Sequence, residues 1–192
     1  PDFDHFGGLI DALKTYQVGA VITNGRKGVA AAFADFEKVI KENNIPEINL
    51  VAGDKIKYGD AVLDVLWPLS HGIVAKKVNE SGIVLMLQKG GLRALYTADI
   101  GMETERELVR KYDLSAQVLK VAHHGSKYST SAEFLKEVNP EISVIEVGKN
   151  TYGHPTPAAL GRLADIGTQI FRTDLGGTIK MIFDEESLKI YN

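Results

Sequence analysis

Lys120-Val121-Ala122-His123-His124-Gly125-Ser126-Lys127 is the stretch from which the rest of the chain is read. The apolar run 117–122 is short, rich in valine and unbroken, which predicts a strand buried on both faces. It ends in two adjacent imidazoles, a glycine that frees the backbone for a tight bend, and a hydroxyl. Four of the five histidines (His5, His123, His124 and His154) sit in motif-like settings beside glycine. A scarce residue type gathered at loop positions is the pattern of metal sites and of acid/base sites. A histidine pair after a strand can also be plain hydrogen-bonded structure, so the neighbouring stretches have to decide.

Upstream, runs 82–88 and 92–98 flank Lys89-Gly90-Gly91 and read as a hairpin. The second run enters Thr97-Ala98-Asp99-Ile100-Gly101, which puts Asp99 at a strand end just before a helix over 103–112. As a cap Asp99 needs no function; as a ligand it would lie beside His123 on the next strand. Downstream come a helix over 130–138 capped by Ser129 or Thr130, a strand over 141–147, and Asn150-Thr151-Tyr152-Gly153-His154-Pro155. Here His154 is pinned between Gly and Pro, with little backbone freedom. A helix over 156–166 and strands over 169–173, 178–183 and 188–191 finish the chain, with turns at Gly176-Gly177 and Asp184-Glu185-Glu186.

At the other end, Asp2, Asp4 and His5 precede Phe6-Gly7-Gly8, after which Leu9, Ile10, Leu13 and Tyr16 recur at helical spacing. The acidic groups are either an N-cap favoured by the helix dipole or a metal loop, in which Asp2 and Asp4 share one side of an extended segment. Spacing leaves both open. A strand over 18–23 and a helix over 27–43 follow; Val29, Ala32, Phe33, Phe36, Val39 and Ile40 form its core face. Asn44-Ile45-Pro46 ends the helix, strands run over 48–51 and 61–67, and His71 reads as an exposed loop residue.

With 192 residues and no linker or repeat, the chain reads as one layered α/β domain over 1–192. A net charge of −3 argues against a generally basic nucleic-acid face, but not against a metal-dependent nuclease, where cations neutralise phosphate locally. Without cysteine, any metal must be held by nitrogen and oxygen. No signal peptide and no apolar run of bilayer length is evident.

Together these stretches resemble the metallo-β-lactamase fold superfamily, and most closely the extracytoplasmic hydrolase domain of the ComEC/Rec2 competence proteins. The carriers are Pro1-Asp2-Phe3-Asp4-His5-Phe6-Gly7-Gly8, Thr97-Ala98-Asp99, His123-His124-Gly125-Ser126, Asn150-Thr151-Tyr152-Gly153-His154-Pro155 and Arg172-Thr173-Asp174-Leu175-Gly176-Gly177, in the family's order. The resemblance implies an αββα four-layer sandwich. The family's first motif is His-x-His-x-Asp-His, with Asp2 here in the place of the second His, so the first would immediately precede Pro1. The chain begins with Pro1 rather than Met, and we expect a fragment lacking the family's N-terminal strands, with apolar surface left exposed.

By that resemblance Asp4, His5 and His154 hold one metal, Asp99 bridges two, and Asp2 helps the missing His hold the other. Of His123 and His124, one is a ligand and the other contacts phosphate or protonates a leaving group; His123, His124 and Asp4 carry the chemistry. Ser126, Lys127 and Asn150 contact substrate. The cofactor would be two divalent ions, zinc or manganese, which suit imidazole and carboxylate and lower the pKa of a bridging water to roughly 7. The implied activity is phosphodiester hydrolysis on DNA, with a single strand as partner. The alternatives are a small phosphodiester such as a phosphorylcholine ester, or a non-catalytic scaffold. A membrane-channel domain in a longer chain is a further expected partner; the location is extracytoplasmic in that case and cytoplasmic otherwise.

Overall fold

The computed structural model describes residues 1–70, 78–184 and 187–192; His71 and residues 185–186 of the last expected turn lie outside them. The chain opens with α1 (Phe3–Thr15), β1 (Val21–Thr23), α2 (Ala31–Glu42) and β2 (Glu47–Asn49). Helical spacing puts Phe6 and Leu13 of α1 against Phe33, Phe36, Val39 and Ile40 of α2, with Val21 of β1 completing the cluster. The Phe6 and Phe33 rings meet edge to face at 5.2 Å. β1 pairs with β2 in parallel.

Among the described residues the central sheet has seven strands in sequence order: β3 (Lys55–Tyr58), β4 (Ala61–Trp67), β5 (Val84–Lys89), β6 (Leu92–Tyr96), β7 (Val118–Lys120), β8 (Ile142–Ile145) and β9 (Gln169–Arg172). β3 to β6 are antiparallel; short turns join β3 to β4 and, at Gly90-Gly91, β5 to β6. β6 to β9 are parallel, so each connection must cross back over the sheet. α3 (Met102–Lys111), α4 (Ala132–Val138) and α5 (Pro157–Asp165) are those crossovers.

All three crossover helices cover one face, where Leu108, Phe134, Leu135 and Leu163 pack on Leu95, Leu119 and Ile145. Alternate residues Ala94, Val118 and Ile142 point the other way and meet Met181, Leu188 and Ile190. Those belong to the hairpin of β10 (Lys180–Phe183) and β11 (Leu188–Tyr191), which follows the short α6 (Thr173–Gly176). The run around β7 is therefore buried on both faces, Val118 at 7% exposure and Leu119 at 0%. Each such side chain contributes about 1.5–3 kcal/mol.

This is the expected α/β architecture, with the strands outside the central sheet divided into two separate pairs, β1–β2 and β10–β11. Apolar side chains remain exposed on β1 and β2, Ile22 at 40% and Ile48 at 47%. Several boundaries differ from the sequence reading: α2 begins only at Ala31, so Val29, expected on its core face, lies outside the helix and is fully exposed. α1 begins at Phe3, so Asp4 and His5 lie in its first turn and only Asp2 is extended. Ser131 caps α4 by accepting from the Phe134 N–H at 3.3 Å, because Ser129 is buried and its hydroxyl donates to the Ala122 carbonyl. Parallel pairing has one further consequence: β6, β7 and β8 all end at the same rim, and their loops gather there.

Candidate metal centre

β6 and β7 are tied together at their ends. The Thr97 hydroxyl donates to the Lys120 carbonyl at 2.6 Å, and the His123 N–H donates to the Ala98 carbonyl at 3.1 Å. Ala98, His123 and His124 all take positive φ (46°, 49° and 53°), a conformation that side chains with a Cβ rarely adopt. Such strain gathers at functional sites. Here it turns Asp99 and His124 toward the first turn of α1.

Four side chains meet there. His5 Nε2 lies 3.1 Å from Asp99 Oδ2, and His124 Nε2 lies 3.2 Å from Asp4 Oδ2 and 3.5 Å from Asp99 Oδ2. One donor atom from each of Asp4, His5, Asp99 and His124 falls within 4.8 Å of every other. Ligands about 2.1 Å from a shared tetrahedral ion stand about 3.4 Å apart, so the closest of these separations match a common ion.

Hydrogen bonding sharpens the assignment. His124 Nδ1 donates to the Glu146 backbone carbonyl at 2.6 Å, since a carbonyl oxygen can only accept. In the neutral ring Nε2 is then the bare nitrogen, and its lone pair faces two carboxylate oxygens. A proton on Nε2 or a cation between the groups makes that contact favourable, and a backbone-fixed ring is how ligand histidines are oriented. Asp99 is 8% exposed and its Oδ1 is buried without a partner, as is His154 Nδ1. An unpaired buried carboxylate oxygen costs free energy that a metal bond would offset. The donor set fits a divalent ion that takes nitrogen and oxygen.

Electrostatics agree. Burial pushes the Asp99 carboxyl up, but the hydrogen bond and charge of His5, with Lys120 and His124 nearby, hold it at about 2. The hydrogen bond to Asp99 raises His5 above its ordinary value against the effect of burial. His154 is lowered by burial and by the neighbouring His123 and His124.

The other sequence-derived residues occupy distinct places. His124 joins the four-residue group, whereas His123 Nε2 faces the Asn79 amide at 3.4 Å. His154 lies on the far side of His123, ring centroids 5.6 Å apart, and outside the group. Asp2 is exposed at the N-cap position with no side-chain cap bond and is also outside it. Ser126 is 2% exposed and its Oγ accepts from the Tyr128 N–H within its own loop. Asn150 likewise spends its side chain on the loop around His154. Lys127 is exposed, its Nζ 5.0 Å from the centre of the Tyr128 ring. Sequence reasoning missed Asn79 and the Glu146 carbonyl, neither of which carries a motif signal. A cavity of about 270 Å³ opens beside His5 and Asp99, lined by Phe6, Val21, Phe33 and Ile83.

No family model matches the sequence. Among curated proteins it is 34% identical over 184 residues to ComE operon protein 3 of Bacillus subtilis, covering 93% of this chain and 23% of that protein. It is 40% identical over 110 residues to competence protein ComA of Neisseria gonorrhoeae, covering 55% of this chain and 16% of the relative. With recombination protein 2 of Haemophilus influenzae it shares 27% over 190 residues, or 98% and 22% of the two chains. The zinc-bound PqqB of Methylobacterium extorquens superposes with a TM-score of 0.53 at 13% identity, over 89% of this chain and 68% of that one. A Parabacteroides distasonis protein assigned to the metal-dependent hydrolases gives 0.51 at 13%, over 83% and 78%.

The chain is a ComEC-type metallo-β-lactamase-fold domain. It spans less than a quarter of the length of the curated relatives it matches. The scaffold of this ComEC-type domain is that of metal-dependent hydrolases.

Proposed function

We propose that the domain hydrolyses phosphodiester bonds in DNA, using divalent ions held by Asp4, His5, Asp99 and His124. The observation that carries this reading is the His124 imidazole, held by the Glu146 carbonyl so that its Nε2 faces Asp4 and Asp99. When bound there, divalent zinc or manganese supplies an activated water and neutralises phosphate charge. Asp99 Oδ1 and His154 Nδ1 are the unpartnered donors left for a second ion. His123, with its Nε2 3.4 Å from the Asn79 amide, would hold a proton for the leaving oxygen. Competence relatives support DNA as substrate. Their greater length fits a place for this domain within a longer protein; a neighbouring membrane-channel domain and a location outside the cytoplasm are part of the same proposal.

A small phosphodiester is the second reading, favoured by the apolar cavity beside His5 and Asp99. The test is metal content by mass spectrometry, together with hydrolysis of a single-stranded oligonucleotide and of bis(p-nitrophenyl) phosphate. The DNA reading expects metal to bind and both substrates to be cleaved. Cleavage of the small ester alone would favour the second reading, and a chain that takes up no metal would overturn both.

A further inference from the structure

Tyr152 presents its side chain at 81% exposure from a loop that is firmly tied. Asn150 Oδ1 accepts from the N–H groups of Tyr152 and His154 at 3.1 and 3.0 Å, and its amide donates to the Gly148 and His154 carbonyls at 2.9 and 2.8 Å. One buttressing side chain therefore fixes the backbone on both sides of Tyr152. The phenol ring lies over the His154 imidazole, 27° from parallel with centroids 6.0 Å apart, and His154 in turn meets His123 edge-on. The ring meets a site histidine at one edge of its inner face, and its outer face is left to solvent.

An aromatic ring held in place on its backbone loses little conformational freedom when a flat group lands on it, which favours stacking. Lys149 is exposed in the same loop, and Lys127 beside Tyr128 is exposed after the His123-His124 turn. A planar ring on a loop that also carries an exposed lysine suits a polyanion whose planar units are free to stack. Bases inside a duplex keep their faces covered, so the occupant is unpaired.

We propose that Tyr152 is a base-stacking subsite: an unpaired nucleobase of a single-stranded nucleic acid lies on its outer face and directs the adjoining phosphate toward the histidines. This rests on the phosphodiesterase reading above. It goes further by naming the side chain that recognises the strand and the part of the strand recognised. The ring and not its hydroxyl makes the contact, so phenylalanine can replace tyrosine.

The experiment compares two fluorescent twelve-nucleotide strands of equal charge, oligothymidylate and an abasic deoxyribose phosphate chain, by fluorescence anisotropy with the full chain. Wild type is expected to prefer the base-bearing strand by about fivefold or more, a single stacked base being sufficient for that. Tyr152→Ala is expected to lose the preference, while Tyr152→Phe and the remote Tyr58→Ala keep it, with circular dichroism confirming the fold of each. If wild type prefers the base-bearing strand and Tyr152→Ala prefers it equally, the subsite is wrong and the phosphodiesterase reading stands. If wild type binds neither strand, the nucleic-acid reading fails and takes the subsite with it.

Discussion

At the scale of single residues, His5 and Asp99 form a pair whose charge states oppose metal binding at one pH and permit it at another. His5 titrates above its ordinary 6.5, so its stabilising contribution is complete below that pH and fades as pH rises through the raised value. Asp99 titrates at about 2 instead of 3.8, so its contribution is present above 3.8 and is lost as pH falls toward 2. Without metal the pair therefore supports the fold best between about pH 4 and 6.5. In chelator, calorimetry is expected to give a wild-type advantage over His5→Gln that is larger at about pH 5.5 than at about pH 8; an advantage that grows with pH would contradict the pairing. Metal must displace the His5 proton, so its affinity rises with pH across the same range. Asp99→Ala is expected to abolish metal uptake and hydrolysis with the far-ultraviolet circular dichroism unchanged, because Asp99 sits at a strand end and packs no core. Activity equal to wild type would remove Asp99 from the site.

Elements hold the turn that carries the histidines from several sides. Glu105 of α3 is fully buried; Oε1 accepts from the Thr130 N–H and Oε2 from the Ser131 N–H at 2.9 Å. Arg162 of α5 closes the same loop from outside by donating to the Thr130 and Ser129 carbonyls at 2.7 and 2.8 Å. Glu105→Ala leaves two buried N–H groups unpaired and is expected to cost about 3 kcal/mol in urea unfolding, with Glu105→Gln costing less. Gly125 has φ of +81°, and a Cβ there would stand 2.6 Å from Pro155 Cβ. Gly125→Ala must therefore push the His154 loop off the histidine turn. A loss of metal affinity of about tenfold is expected by isothermal titration, and unchanged affinity would mean the two loops are independent. Gly125 and Pro155 stand in the sequence as motif letters, and the strands around them read out of their apolar runs. Glu105 and Arg162 did not, because a charged residue within a helix looks like solvated surface until the packing is known. The start of α1 was also hidden, since Asp2 serves equally well as a cap or as a metal-loop residue. The choice between His123 and His124 needed the Glu146 carbonyl, which no side-chain pattern announces.

Across the whole molecule, the four donors come from two separate bodies of core. Asp4 and His5 belong to the α1–α2 cluster, while Asp99 and His124 belong to the central sheet. Between the two lies the cavity of about 270 Å³, walled by Phe6, Val21 and Phe33 on one side and Ile83 and Ala98 on the other. The direct polar ties across the joint include Asn24 donating to the Ser81 carbonyl at 2.7 Å. A solvent-accessible cleft of that size leaves the seam with fewer packed contacts than the sheet core, so α1 and α2 should open more readily than the sheet. On the proposed function, an ion shared by Asp4, His5, Asp99 and His124 would be a staple across the seam. Its linkage stabilisation is about 2.7 kcal/mol at a hundredfold excess over Kd. Hydrogen exchange with and without zinc or manganese is the check: protection is expected to rise most in α1 and α2 and little in β5 to β8, which are already closed by the large core. Asp4→Asn should remove most of the gain in α1 and α2 while leaving the sheet as it was. Uniform protection across both bodies would place the ion within one of them and break the link between the first turn of α1 and the ends of β6 and β7.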